Sequence, residues 1–244
     1  MNELNERQEE LLKQLGEHKY LSVSALSKML FTSEATVRRD LLKLDQMHLL
    51  SRTHGGARVL TNPNDLPLAL FNKNANDEKR IIGIQAARMV HENNVVFLDA
   101  TSTSEHVLEH IRNIEGVTVF TNGLETAQIS SNYGINTYCV GGKVRSISSC
   151  CYGSFTEKIL SEVYFDVLLF SAPGLAEDGE ITHYSLDFIP FLRSVFPQAK
   201  RRYLLCLGTK LGLIYNYRLC NCSELTGVIS DKKLPPSINQ IHVS

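Results

Sequence analysis

The residues best suited to chemistry fall into two groups. In the first, Arg38 and Arg39 stand side by side just after Ser33, Glu34 and Thr36, and Arg52, His54 and Arg58 follow soon after. Guanidinium groups grip phosphate oxygens and read base edges bidentately, so this set suits a polyanion. The second group is scattered: Asp99-Ala100-Thr101-Ser102-Thr103, Thr121-Asn122-Gly123, Gly141-Gly142-Lys143 with Arg145 close behind, Ser171-Ala172-Pro173-Gly174, and Gly208-Thr209-Lys210. Hydroxyls and backbone amides opening a helix after Asp99 suit a phosphate, and Lys143, Arg145 and Lys210 supply charge to neutralise it. Ser and Thr in such places also serve as ordinary helix caps, and that reading stands beside the first.

Each group needs elements to position it. Ser33 reads as a helix cap and Glu34 suits the positive end of the helix dipole. Val37, Leu41 and Leu44 fall at i, i+4 and i+7 and bury one stripe, leaving Glu34, Thr36, Arg38 and Arg39 on the open faces. Upstream, Ser22 to Leu30 reads as a second short helix capped by Ser22, with Val23, Leu26, Met29 and Leu30 at helical spacing. Only Phe31 and Thr32 separate the two. Such a pair is either a helix-turn-helix, whose second helix enters the major groove, or an ordinary helical hairpin. The stretch Leu49 to Leu60 adds two short extended runs around Gly55-Gly56, a wing that carries Arg52 and Arg58 on opposite arms beside the groove's phosphates. A helix over 3–17, with Leu4, Leu11, Leu12 and Leu15 on its apolar side and its end at Gly16, packs behind the pair.

Thr36-Val37-Arg38-Arg39-Asp40-Leu41 followed by His54-Gly55-Gly56-Ala57 resembles the DeoR family of bacterial transcriptional repressors, both motifs occurring in order and at the family's separation. The resemblance implies a double-stranded DNA operator as partner, contacted by Ser33, Glu34, Thr36, Arg38, Arg39, Arg52, His54 and Arg58. Two positions depart from the pattern: Phe31 stands where the family usually has Gly in the turn, and His48 where it has Gly at the end of the recognition helix. A non-Gly residue in a left-handed turn position costs about 1 kcal/mol, which predicts a slightly different turn at Phe31.

The segment Thr61 to Pro67 reads as a linker, and from Asn76 the pattern changes. A helix capped by Asn76 runs from Asp77 to His91 with Ile81, Ile82, Ile84, Ala87 and Met89 inward. Apolar runs at Val95–Asp99, Val117–Phe120, Asn136–Val140, Val167–Phe170 and Tyr203–Leu207 read as strands, with shorter candidates at 227–230 and 241–243. Apolar strands alternating with helices predict a parallel sheet covered on both faces, with a ligand site beyond the strands' carboxyl ends. The expected fold class is thus α/β: an N-terminal winged helix-turn-helix domain, then a larger α/β domain with a mainly parallel sheet.

This half is similar to the family's sensor domain, with its Leu-Asp-x-Gly-Thr-Thr loop, a Thr-Asn after the next strand, a Gly-Gly after the third and a Ser-Lys near the last. The similarity implies a fold like ribose-5-phosphate isomerase and a phosphorylated sugar or nucleoside effector. It maps Asp99, Ser102, Thr103, Asn122, Gly141, Gly142, Arg145 and Lys210 onto the effector site, with Thr101 and Lys143 adjoining. Thr101 replaces the phosphate-loop glycine, and Pro173 and Leu207 stand where the family usually has Asp. Those departures imply either a changed effector or a pocket kept only for oligomerisation. A sugar-phosphate isomerase with an added helical domain is the competing class, disfavoured because Pro173 and Leu207 leave Asp99 and Asp187 as the only obvious carboxylates for a general base. Recognition of RNA or a protein through the wing is a third.

The 244 residues allow two domains, expected at 1–60 and 76–244 with a linker at 61–75. The hydrophobic content of 43% is ordinary for a soluble protein, no apolar run reaches membrane length and the N-terminus is polar, so a cytoplasmic protein with no membrane segment is expected. Six cysteines without a CxxC pair predict free thiols; no metal site or cofactor is expected. The net charge of −1 puts any basicity locally: five basic residues against three acidic ones between Ser33 and Leu60 leave +2. One such module binds DNA weakly in salt, so at least a homodimer is expected.

Overall fold

The computed structural model describes residues 5–18, 20–46, 50–58, 76–145 and 149–241. The chain divides into two compact units, 1–74 and 75–244.

Among the described residues the first unit is three helices and a small sheet. Helices α1 (Glu6–His18), α2 (Val23–Met29) and α3 (Glu34–Gln46) enclose a core of Leu11, Leu12, Leu15, Val23, Leu26, Val37, Leu41 and Leu44. Ser22 caps α2 by accepting from the Ala25 amide at 3.1 Å, and Ser33 caps α3 by accepting from the Thr36 amide at 3.2 Å. Helix α1 runs through Gly16 rather than ending there. Leu4 and His48 lie outside the described residues.

The wing is a hairpin of β2 (Ser51–Thr53) and β3 (Gly56–Arg58), and β3 also pairs with a strand absent from the expectations, β1 (Tyr20–Ser22). The turn falls on His54-Gly55, with Gly55 at φ +87°. Gly56 belongs to the strand. A Cβ there would overlap the Leu21 carbonyl oxygen, so its lack of a side chain lets β1 and β3 approach.

The second unit is an α/β fold around a six-stranded sheet. In chain order it comprises α4 (Asn76–Ala87), β4 (Val95–Leu98), α5 (Ser102–Ile111), β5 (Thr118–Thr121), α6 (Leu124–Asn132) and β6 (Asn136–Cys139). A hairpin of β7 (Lys143–Arg145) and β8 (Cys150–Tyr152) follows, then α7 (Ser154–Leu160), β9 (Phe165–Phe170), β10 (Gly174–Leu175), β11 (Glu180–His183), α8 (Phe188–Val195), β12 (Ala199–Cys206), β13 (Tyr217–Asn221) and β14 (Gly227–Ser230). The main sheet has the order β14-β12-β9-β4-β5-β6 with every pairing parallel, as the apolar runs imply. Alternation along the strands splits the core: Val96, Leu98, Val167, Leu169 and Leu205 face α4 and α5, while Phe97, Leu168, Phe170 and Leu204 face α7 and α8. Ile82 and Ala87 are buried as expected, but Ile81 is exposed, because the stripe of α4 runs through Ile82, Ala86 and Val90.

Two pieces went unforeseen: the β7–β8 hairpin and a small antiparallel sheet of order β10-β11-β13. Of the last expected strand, Ile241 lies outside any strand and 242–243 lie outside the described residues. The chain runs from β4 to β5 and β6 on one side, then returns to β9, β12 and β14 on the other. The strand order therefore reverses between β4 and β9, where a parallel α/β sheet opens a crevice at its carboxyl end.

A candidate nucleic-acid interface and a candidate ligand crevice

On α3, Ser33, Glu34, Arg38 and Arg39 are exposed and Thr36 half-buried; on the wing, Arg52, His54 and Arg58 are exposed. Arg38 is tied to Glu34 one turn back, its guanidinium 2.7 Å from the carboxylate. The side chains of Arg39, Arg52 and Arg58 make no ion pair among the described residues. Three unpaired guanidiniums on a capped helix and a hairpin can take phosphates or base edges. Asp40 does not weaken that surface. It is buried and engaged by Arg7 at 2.7 Å and by Gln8 at 2.9 Å, so its charge is met inside the unit.

The turn between α2 and α3 departs from expectation. Phe31 takes φ +47°, so the left-handed conformation is kept by a bulky residue, which stands 97% exposed. Among the described residues nothing packs against it closely enough to repay the strain.

In the second unit the crevice between β4 and β9 is bounded by Asp99 and Ser171. Asp99 is buried and spent on structure: one carboxylate oxygen accepts from Thr101 at 2.7 Å and from Ser104, the other from the Ser171 amide at 2.8 Å. Burial pushes its carboxyl up, against those hydrogen bonds and nearby Lys210, which favour the charged form. Thr101, at φ −105°, turns its hydroxyl inward to this carboxylate and caps α5 through the Ser104 amide. Lys210 reaches Ser171 from beyond β12, its Nζ donating to Oγ at 2.9 Å while that Oγ donates to the Leu205 carbonyl at 2.8 Å. The residue is half-buried, but its ammonium is enclosed, and burial pushes its pKa down.

Two polar atoms at this edge are buried without a hydrogen-bond partner among the described residues: Ser102 Oγ in the first turn of α5, and Asn122 Oδ1, whose amide nitrogen donates to the Cys151 carbonyl at 3.0 Å. Thr103 is buried beside them in α5. Arg145 leans across from β7 to the Ser185 hydroxyl at 3.1 Å and over the Phe188 ring at 5.9 Å. Lys143 is exposed and stays over Tyr152 of its own hairpin. The Gly141-Gly142 turn has a structural duty: the Gly141 carbonyl accepts from Thr156 at 2.8 Å, and a Cβ on Gly142 would overlap the Thr156 hydroxyl. Pro173 is half-buried in the loop before β10, and Leu207 is buried just ahead of Lys210.

Sequence reasoning missed three titratable groups here. Lys79 on α4 is fully buried, its pKa pushed down to about 8 by burial and then by the charge of Lys210. Glu105 on α5 accepts from Thr126 at 3.1 Å and is pushed up to about 6 by burial. His183, buried and stacked on Phe188 at 5.0 Å, accepts from the Ser185 amide at 2.9 Å and is pushed down to about 4 by burial. Lys79 alone left a signal, since it falls on the stripe of Ile82, Ala86 and Val90. Among the described residues no group of acids, His and Cys is arranged to hold a metal, and no helix is long and apolar enough to cross a membrane.

A winged helix-turn-helix with unpaired arginines, carried on one chain with a parallel α/β unit, defines a DNA-binding regulator of transcription. The DeoR-like helix-turn-helix domain matches residues 7–62, and the DeoR C-terminal sensor domain matches 74–232. The chain belongs to the DeoR family of transcriptional regulators. It is 30% identical to the HTH-type transcriptional repressor GlcR of Bacillus subtilis over 93% of this chain and 88% of that protein. It is 31% identical to the lactose phosphotransferase system repressor of Streptococcus mutans, over 93% of this chain and 91% of that protein. Among solved structures, ribose 5-phosphate isomerase A from Methanocaldococcus jannaschii matches with a TM-score of 0.42 and 16% identity, over 57% of this chain and 55% of that one.

Proposed function

We propose that this regulator represses carbohydrate-utilisation genes from an operator bound by α3 and the wing, as a homo-oligomer, and that a phosphorylated sugar in the β4–β9 crevice controls it. The observation that carries the effector is the pair of orphaned atoms, Ser102 Oγ and Asn122 Oδ1. The first lies at a helix N-terminus, where a phosphate is favoured by backbone amides and dipole. The second is an acceptor in need of a donor, which a sugar hydroxyl supplies. Lys210 brings positive charge to the same edge, and Arg145 borders it. The name of the Streptococcus mutans relative, a lactose phosphotransferase system repressor, agrees with this chemistry. A thermal-shift panel of sugar phosphates on the full chain tests it, paired with a gel shift on the DNA flanking its own gene. A ligand should raise the melting temperature, lose that effect in Ser102→Ala and Lys210→Ala, and alter operator binding. A panel without hits sinks the effector, and a gel shift without specific binding sinks the regulator reading.

One observation favours a second reading. Glu105, near pH 6 and within electrostatic reach of Lys79, is a poised base of the kind an isomerase needs. Turnover of a sugar phosphate by the wild type, abolished in Glu105→Gln, would establish it. Asp99, one of the two carboxylates that the sequence left for a base, is committed through both oxygens, to Thr101 and to the Ser171 amide.

A further inference from the structure

A cavity of about 540 Å³ opens on the α8 side of the sheet, away from the strand ends. Three arginines from three elements line it: Arg193 of α8, Arg202 of β12 and Arg218 of β13. Arg202 sits in the N-terminal half of β12, whereas Lys210 lies beyond its C-terminal end. About 13 Å of strand separates Arg202 from Cys206 alone, so the cavity is not part of the crevice.

The arginines are held differently. Arg193 is fixed by its Nε–H to the Leu219 carbonyl and a terminal N–H to the Arg218 carbonyl, both at 3.1 Å. Arg218 is exposed and only loosely paired, its Nε 3.7 Å from Glu180. Arg202 Nε is buried and has no hydrogen-bond partner among the described residues. Glu224 is the one acid of the lining, and one of its oxygens already accepts from the Asn221 amide at 2.7 Å. Cys220 in the wall is pushed up to about 12 by burial and by Glu224, so the thiol adds no negative charge. Three guanidiniums against one carboxylate leave the lining positive even when Glu180, paired with Arg218 from outside it, is counted, and a buried N–H donor waits for an acceptor.

We propose that this cavity is a second anion site, for a small molecule bearing a phosphate group. The excess of positive charge suits an anion, and donors arriving from three directions fit a tetrahedral acceptor better than a planar carboxylate. Phe196, Pro197 and Leu219 give the rest of the molecule an apolar wall, and the volume lies in the range of small-molecule sites.

Titration of inorganic pyrophosphate into the full-length protein tests the site, with the arginine Nε–H resonances followed by NMR and affinity by calorimetry. The Arg202 resonance is expected to shift and saturate. Arg202→Lys, and Arg218→Gln at an exposed position, should each weaken pyrophosphate at least tenfold, and Lys210→Ala should leave it unchanged. An unmoved Arg202 resonance, or affinity indifferent to both arginine variants, overturns the proposal. Loss of affinity in Lys210→Ala instead would place the anion in the strand-end crevice and overturn it as well. If Arg202→Lys and Arg218→Gln change the oligomeric state while pyrophosphate affinity stays the same, the cavity is a subunit contact and the proposal fails.

Discussion

Arg7 on α1 donates to the carboxylate of Asp40 on α3 at 2.7 Å, and Gln8 holds the other oxygen at 2.9 Å. Burial alone would push this carboxyl up, but the hydrogen bonds from Arg7 and Gln8 outweigh it and hold the pKa below its ordinary value. Asp40→Ala leaves Arg7 and Gln8 without their acceptor and should destabilise the first unit by about 1–3 kcal/mol. Arg7→Met should be at least as damaging, since it strands a buried charge. Because the folded pKa is the lower one, the stabilisation is present above the ordinary carboxylate pKa and is lost as pH falls through the folded value, below about pH 4. Urea unfolding of both variants from pH 3 to pH 7 measures this; a variant as stable as wild type at neutral pH would show that the clamp carries no weight.

Phe31 offers a gain rather than a loss. At φ +47° and 97% exposed, it carries left-handed strain with no packing in return. Phe31→Gly should therefore stabilise the unit by about 0.5–1 kcal/mol, the strain relieved outweighing the extra freedom of the unfolded chain. Phe31→Ala keeps a Cβ and should give no such gain. Equal melting temperatures for the two variants would show that the strain is absent.

Both cases mark where the sequence was readable and where it was not. The apolar periodicities of α3 and of the strands 95–99, 117–120 and 203–207 describe faces repeated over several turns or residues, and the structure follows them within a few positions. Asp40 and Lys79 were passed over, although Lys79 falls on its helix's apolar stripe, because an apolar pattern assigns charged residues to the outside. Each lies on a buried stripe, Asp40 between Val37 and Leu44 and Lys79 one turn before Ile82, and Asp40 is held there by Arg7 and Gln8, remote in sequence. β1, β10 and β11 are two to four residues long, too short for an alternation to register. The strand-end loops were legible as a set, but not which hydroxyls face inward. Thr101 and Ser102 are adjacent, yet Thr101 serves Asp99 and Ser102 is left orphaned, a difference set by the helix cap.

On the DNA side, Arg38 and Arg39 are no longer equivalent. Arg38 must share its charge with Glu34, whereas Arg39 is unpaired among the described residues. Arg39→Ala should reduce discrimination between operator and random DNA by about 1–3 kcal/mol if it reads a base, and Arg52→Ala should weaken all sequences alike and lower the salt slope by about 1. Glu34→Gln releases Arg38 and should tighten binding to any duplex. Fluorescence anisotropy over a salt series separates these outcomes. An Arg52→Ala defect confined to the operator would assign that residue to base reading instead.

The groups around the strand ends give a pH profile whose sign can be worked out. His183, pushed down to about 4 by burial, stays neutral in the folded protein while the unfolded chain takes up a proton below about pH 6.5, so stability falls as pH drops through that interval, by about 3 kcal/mol. Glu105, pushed up to about 6 by burial, opposes it: between about pH 4.5 and 6 the folded state holds the extra proton, which adds about 2 kcal/mol on acidification. Between these two the histidine prevails, so the pair weakens the fold toward acid. His183→Asn keeps an acceptor for the Ser185 amide and should flatten this arm. Lys79 acts at the other end: its folded pKa of about 8 lies below the ordinary value, so the unliganded protein gains stability as pH rises above about 8. Lys79 is within electrostatic reach of Lys210, so a phosphorylated ligand bound beside Lys210 as proposed would be favoured by both charges, and its effect would run the opposite way. Melting temperatures from pH 4 to 9.5, with and without a hexose 6-phosphate, should show a ligand-induced increase that is largest near neutrality and shrinks above about pH 8. An increase that grows above pH 8 would remove the two lysines from the binding of the phosphate.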